Sequence, residues 1–239
     1  MIILFTDFGL DDIYVGQLKA VLAQHAPAHA VIDLLHSAPA FDIASSAHLL
    51  AALYSKFAPG SVLLGIVDPG VGTSRQAIVM VADGYWFVGP DNGLFGVIAA
   101  RASAAQYWRI DWRPDNLSTS FHGRDLFAPI AAQIATGNFP AELLTPIERI
   151  NGLQAAPLAQ VIFIDHYGNC LTGIPAPTLS KEKHLLIGAQ VIGFASTFSA
   201  VPVGHPCWYE NSLGLVEVAV NTGRADSVLH LQIGSLIGL

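Results

Sequence analysis

The chain opens on Ile2–Phe5, an apolar run too short for a helix and closed by Thr6-Asp7, which is the pattern of a strand buried on both faces. Asp12 follows a glycine-containing turn, and Val15, Leu18 and Leu22 then recur at helical spacing, so Asp12 is expected to cap a helix. Ala30–Leu35 reads as the next strand. Ile43–Tyr54 reads as a helix with Ala47, Leu50 and Tyr54 on one face, and Ser61–Val67 as a third strand. Gln76–Ala82 and Tyr85–Val88 flank Asp83-Gly84, a dipeptide suited to the type I′ turn of a hairpin. Leu94–Ala104 and Leu126–Thr136 are predicted helices, the second ended by Gly137. Strands alternating with helices predict an α/β N-terminal domain with a mostly parallel central sheet and an added hairpin.

The pattern changes after Glu148. Asn151–Gln160 has no period and contains Pro157. Beyond it lie only short strand candidates: Val161–Asp165, Cys170–Ile174, His184–Ile187, Val191–Phe194, Trp208–Glu210, Leu215–Val220 and Val228–Ile233. Turn residues separate them, which predicts a small all-β barrel or sandwich domain. Two domains are therefore expected, over residues 1–150 and 158–239, with the boundary between 150 and 158. No internal repeat or low-complexity segment interrupts either.

Composition narrows the function classes. Hydrophobic residues make up 52% and charged residues 12% of 239, which excludes disorder and favours a well-buried core or an extensive subunit interface. No apolar run reaches the roughly 18 residues of a membrane span. The N-terminal MIILFTDFG lacks a basic segment and reads as a strand rather than a secretory signal. With net charge −7 and no basic cluster, the chain carries no electrostatic footprint for nucleic acid. Cys170 and Cys207 form no CxxC pair, so neither a disulfide scaffold nor a zinc ribbon is implied. The expectation is a soluble cytoplasmic protein.

The scarce charges concentrate at predicted strand ends, where α/β folds bind ligands. Thr6–Asp12 follows the first strand and Asp68–Arg75 the third; Gly89–Gly93 follows the hairpin, and Thr119–Asp125 precedes the last N-domain helix. Each residue also has a structural reading. Asp7, Asp11 or Asp12 could cap a helix, and Gly70 and Gly72 could make a tight turn, since GVG without GK[ST] is not a phosphate loop. Asp91-Asn92-Gly93 suits a turn, and His122, Arg124 and Asp125 could only fix a helix start. Asp68, Arg75 and His122 point to chemistry as a set. A carboxylate beside a guanidinium stays ionised and oriented, and a nearby histidine exchanges protons near neutral pH, so the three could polarise a water.

Six motifs in order resemble the S-adenosyl-L-methionine (SAM) hydrolases, or SAM hydroxide adenosyltransferases, relatives of the adenosyl fluoride and chloride synthases. They are TDFGLDDIYVGQLKA (Thr6–Ala20), VDPGVGTSR (Val67–Arg75), GPDNGLF (Gly89–Phe95), FHGRDLFAP (Phe121–Pro129), IDHYGN (Ile164–Asn169) and NSLGLVEVAVN (Asn211–Asn221). The resemblance spans nearly the whole chain. It implies an α/β domain followed by a β-barrel, and a homotrimer with each site between one subunit's N-domain and its neighbour's C-domain. It also implies hydrolysis of SAM to adenosine and L-methionine at ribose C5′, with no metal or cofactor. By resemblance, Asp68, Arg75 and His122 match the water-activating triad and Asp7 the carboxylate that grips the ribose hydroxyls. Asp11 shares that loop, and Phe41 matches an aromatic beside the sugar. Asp165, Tyr167 and Asn169 match contacts to adenine and the amino-acid part, Ser212 a hydroxyl near the methionine carboxylate, and Val220, Asn221 and Thr222 the backbone at the adenine edge.

Departures from the halide synthases favour water. Gly123 offers no hydroxyl to hold a halide, Leu213 follows Ser212 where those enzymes can carry a basic residue, and Asp68 would repel an incoming anion. Gln76 replaces a frequent basic residue after Arg75. The alternatives are a halide synthase on the same fold and a SAM or adenosine sensor with little turnover. A metal phosphohydrolase built on Asp7, Asp68, Asp91 and His122 is a third, against which stand Arg75 and the lack of HxH or DxD spacing.

Overall fold

A computed structural model describes residues 1–152 and 156–239. The chain divides into two compact units, Met1–Ala155 and Ala156–Leu239. The aperiodic segment expected at the boundary includes residues 153–155, which lie outside the described residues.

In the first unit, chain order runs β1 (Ile2–Thr6), α1 (Ile13–His25), β2 (Val31–Leu35), α2 (Ile43–Leu53), β3 (Val62–Ile66), β4 (Ala77–Ala82), β5 (Tyr85–Pro90), α3 (Gly96–Arg101), β6 (Ala105–Ile110), α4 (Ala128–Ala135) and β7 (Leu144–Ile147). The strands form one seven-stranded sheet in the order β2-β1-β3-β5-β4-β6-β7. Asp12 caps α1 as expected, its carboxylate accepting from Ile13 N at 2.6 Å. Leu18 and Leu22 are fully buried against Leu4, Leu64, Leu126 and Ile130, so α1 and α4 share a core with β1 and β3. Truncating either leucine to alanine should cost about 2–5 kcal/mol. Asp83-Gly84 turns β4 into β5 with both residues at positive φ, 47° and 85°, the backbone a type I′ turn requires.

The sheet is less parallel than the sequence pattern predicts. β2-β1-β3-β5 pair parallel, whereas β5-β4, β4-β6 and β6-β7 pair antiparallel. The difference comes from β6 and β7, which the pattern does not reveal. The helix expected over Leu94–Ala104 is shorter, Gly96–Arg101, and Ala105–Ile110, to which the pattern gives no element, pairs along β4. Trp108 on β6 packs on Trp86 and Phe139, with ring centroids 6.0 and 5.1 Å away.

The second unit contains β8 (Leu158–Ile164), β9 (Cys170–Pro175), β10 (Leu185–Ile187), β11 (Gln190–Ile192), β12 (Pro206–Glu210), β13 (Leu215–Val220) and α5 (Ala225–Val228). Its strands pair as a four-stranded antiparallel sheet, β12-β13-β9-β8, and a two-stranded ribbon, β10-β11. Trp208, Val161, Val216 and Val218 centre its core. Single bridges such as Gln160–Leu236 and Phe194–Trp208 add to these sheets without closing a barrel among the described residues. Val228–Ile233 is not a strand. Arg224, Ser227 and the Ser227 amide bond to Asp226, α5 forms there, and His230 at φ 52° breaks extension while Leu229 and Leu231 enter the core.

Candidate active site

β1 sends the chain to β2 on one side, and the next strand to join the parallel run, β3, lies on the other side. The crevice beyond β1 and β3 is therefore a topological switch point, the place where open α/β sheets bind ligands. Thr6 and Ile66 are in register at these strand ends. Asp7 follows directly, its amide bonded to Ile66 O at 3.3 Å, and Asp68 lies two residues past β3.

The Asp68–Arg75 loop folds back on itself through Thr73, whose hydroxyl donates to Gly70 O at 2.7 Å and accepts from Arg75 N at 3.2 Å. Gly72 has φ 78°, and a β-carbon there would stand 2.5 Å from Thr119 O. Only glycine lets the loop press against the segment leading to His122. Arg75 then returns to Asp68 as a two-point pair, Nε to Oδ1 at 3.0 Å and Nη2 to Oδ2. Both side chains are nearly buried, 8% and 6% exposed. Arg75 Nη2 also lies 3.3 Å from His122 Nδ1, and its guanidinium sits over the Phe127 ring.

His122 precedes a five-residue π-helical turn, Gly123–Phe127, that widens the entry to α4. Asp125 anchors this turn, accepting from Ser118 N at 2.9 Å and from Arg124 Nε at 2.6 Å. Burial pushes the His122 ring below its ordinary pKa, and the Arg75 charge adds to that effect. A guanidinium only donates, so His122 Nδ1 accepts, and the neutral ring carries its proton on Nε2.

Asp7 is bonded quite differently. Its Oδ2 accepts from Phe41 N at 3.3 Å, and Phe41 itself is 76% exposed and held at φ 61°. Burial pushes the Asp7 carboxyl above its ordinary pKa, against the pull of backbone hydrogen bonds. Phe8 and Tyr14 each meet the Phe121 ring edge-on and are tilted against one another, with centroids 5.0–5.8 Å apart.

Five of the residues singled out from sequence, Asp7, Phe41, Asp68, His122 and Gly123, line one cavity of about 120 Å³. Phe8, Val71 and Ser120 line it too; they sit within the same loops, but nothing in their residue type marks them out. Asp11 is exposed and is not among the lining residues. Asp91 is buried elsewhere, both carboxylate oxygens bonded to Asn151 at 2.8 Å, and Asn92 holds Val67 O, so this turn is structural. Among the described residues no group of three or more His, Cys, Asp or Glu is arranged to hold a metal ion.

The second unit has its own cavity, about 600 Å³, lined by Tyr167, Asn169, Val220 and Thr222 together with Phe198, Gly223 and Arg224. Asp165 does not line it. Its carboxylate accepts from Tyr167 N and Asn169 N at 2.9 Å and from Asn169 Nδ2 at 3.0 Å, so it builds the turn that presents its neighbours. Ser212 is exposed on the β12–β13 turn, and Asn221 is tied to Val201 O at 2.6 Å; neither lines this cavity. Arg224 carries a two-point pair with Asp226 and donates to His166 O. Phe198 sits far from any motif in sequence, so no local pattern could have found it.

Residues 2–144 match the family profile described as the SAM hydroxide adenosyltransferase N-terminal domain, and residues 159–238 match its C-terminal domain. A protein of Thermus thermophilus named (R)-S-adenosyl-L-methionine hydrolase is 37% identical over 98% of this chain and 97% of its own. A protein of Actinoplanes named fluorinase is 23% identical over 98% and 95%. The crystal structure of an uncharacterized conserved protein from Thermotoga maritima superposes with TM-score 0.91 at 34% identity, covering 100% of this chain and 99% of that one. No helix among the described residues is long and apolar enough to cross a membrane.

Proposed function

The chain belongs to the SAM hydroxide adenosyltransferase family, and from that membership we propose that it hydrolyses S-adenosyl-L-methionine to adenosine and L-methionine. Water oxygen attacks ribose C5′, the C5′–S bond breaks, and its electron pair returns to sulfur, turning the sulfonium into a neutral thioether. That leaving group needs no acid, and the step needs no cofactor. The difficulty is the nucleophile, because free water has a pKa of about 15.7.

The observation that carries the mechanism is the closed Asp68–Arg75–His122 cluster at the wall of the cavity. Since His122 Nδ1 accepts from Arg75 and Nε2 already bears the ring proton, His122 is a donor that orients the water. Asp68 is then the group that takes the proton as attack proceeds. Arg75 holds both partners in place. Asp7 accepts from the two ribose hydroxyls, and exposed Phe41 covers the sugar.

A cavity of about 120 Å³ holds only part of this substrate, since pockets for such ligands span roughly 300–1,000 Å³. Phe41, which lines it, is exposed, as are Leu10 and Ile13 on the chain that follows Asp7. We therefore assign the rest of the site to a second copy in a homotrimer, whose C-terminal unit, as a β-barrel in the family manner, brings Tyr167, Asn169, Val220 and Thr222 to the adenine. Two free, buried cysteines, Cys170 and Cys207, suit a reducing cytoplasm.

The test is a chromatographic assay with SAM in ¹⁸O-labelled water, with and without chloride and with EDTA. Adenosine carrying ¹⁸O at its 5′ oxygen, plus methionine, in amounts indifferent to chloride and EDTA, is the expected result. A 5′-haloadenosine would place the protein on the halide branch instead. Bound SAM with no product would leave a sensor.

A further inference from the structure

A chain of polar groups runs beneath the Asp7 turn and takes no direct part in the reaction. Lys19 Nζ lies 2.9 Å from Asp33 Oδ2, Asp33 Oδ1 lies 3.1 Å from His36 Nε2, and His36 Nδ1 lies 2.8 Å from Thr6 Oγ1. Thr6 Oγ1 in turn accepts from Phe8 N at 3.3 Å. His36 and Thr6 are buried, at 2% and 0% exposure. In regular β structure, residues three apart face opposite sides. The β1–β2 pairing skips a residue, from Leu4 with Asp33 to Phe5 with Leu35, and this bulge puts Asp33 and His36 on the same side.

The buried hydrogen bond of this group is the one between Thr6 Oγ1 and His36 Nδ1. Thr6 Oγ1 accepts the Phe8 amide, and its hydroxyl hydrogen turns to His36 Nδ1, which accepts in the neutral ring; His36 Nε2 stands within ion-pair distance of Asp33 but has no hydrogen-bond partner among the described residues. His36 holds the turn a second time through its main chain, its carbonyl accepting from Gly9 N at 2.6 Å. Asp7 lies between Thr6 and Phe8, the two residues so fastened.

We propose that the His36–Thr6 pair is the positioning device of Asp7, and that His36 is the positioning residue that sets the angle at which the Asp7 carboxylate meets the ribose diol. This rests on the assignment of Asp7 to the diol. The test compares adenosine with 2′,3′-dideoxyadenosine by calorimetry. Thr6→Val should weaken adenosine about five- to tenfold and leave dideoxyadenosine unchanged, and Thr6→Ser should restore binding. His36→Asn keeps an amide where Nδ1 stood and should behave like the parent. His36→Gln reaches only the Nε2 position and should behave like Thr6→Val, raising KM for SAM more than it lowers kcat. In an Asp7→Asn background the Thr6→Val penalty should vanish, because both act through one contact.

Equal penalties on both nucleosides, additivity with Asp7→Asn, or indistinguishable His36→Asn and His36→Gln proteins would overturn the proposal. If Asp7→Asn itself binds both nucleosides as the parent does, the diol assignment has failed. A diol-dependent loss in Asp7→Asn with none in Thr6→Val defeats the positioning pair alone.

Discussion

Two acidic residues stand at adjacent strand ends of one sheet, and the protein treats them in opposite ways. Asp68 is held on both oxygens by Arg75, which also reaches His122, and the pair is almost wholly buried. Asp7 has no charged partner; its carboxylate is met by backbone amides, among them Phe41 N at 3.3 Å, offered by a residue in the left-handed region. The contrast separates two tasks. Under the proposed mechanism, the groups that would handle the water are fixed before any ligand arrives, so no reorganisation is needed in the transition state. The group proposed to grip the ligand is left with fewer side-chain partners, and the ribose hydroxyls would supply them.

The largest effects should come from opening the fixed side. Asp68→Asn should lower kcat about 10³-fold while KM for SAM moves less than about threefold, because its work is done in the transition state. It should also destabilise the protein by about 3–5 kcal/mol, leaving a buried guanidinium unpaired, which a denaturant titration would read. Arg75→Lys should cost about 10²-fold in kcat, since an ammonium cannot reproduce the two-point fork. A change confined to KM in either variant would erase the distinction between the two carboxylates.

Asp7→Asn should show the opposite split. Losing a charged acceptor for two hydroxyls should raise KM about 10- to 100-fold with a smaller change in kcat. Burial holds the Asp7 carboxyl above 3.8, so kcat/KM should fall as pH drops through that raised value and the carboxylate is lost. Asp7→Asn should lack this acid limb, and a limb that persists would have to be assigned to another group.

The sequence displays the parts that are built locally. Asp12 reads as a cap because capping needs one side chain and the next amide, and Asp83-Gly84 reads as a turn because its own backbone demands that dipeptide. Asp7 and Asp68 read as strand-end residues, and a parallel β1–β3 pair makes those ends neighbours, but that His122 meets them depends on Gly72 letting the Asp68–Arg75 loop approach Thr119, which the sequence does not display. What is set by distant partners stays hidden. Ala105–Ile110 becomes a strand because β4 offers an edge, Phe198 shares a cavity with Thr222 only in the folded second unit, and His36 joins the Asp7 turn through a bulge that no periodicity displays. Asp165 was visible as a motif residue, but its carboxylate is fully used by the turn it forms.

The smallest expected effect tests the comparison by its sign. A carboxyl whose folded pKa is raised contributes stability below its unfolded pKa and loses that contribution as pH rises through the folded value. At neutral pH the parent therefore carries a charge that the fold disfavours, and Asp7→Asn removes it while keeping an oxygen for Phe41 N. The Tm of Asp7→Asn should exceed the parent's by about 1–2 °C at pH 7, and the gap should close as pH falls below 3.8. Asp68→Asn should lower Tm at the same pH. Opposite signs at neighbouring strand ends would mark one carboxylate as part of the fold's own bonding and the other as held ready for a ligand. A fall in Tm for both would mean that Asp7, too, is bonded for stability, and that the long Phe41 contact understates its place in the fold.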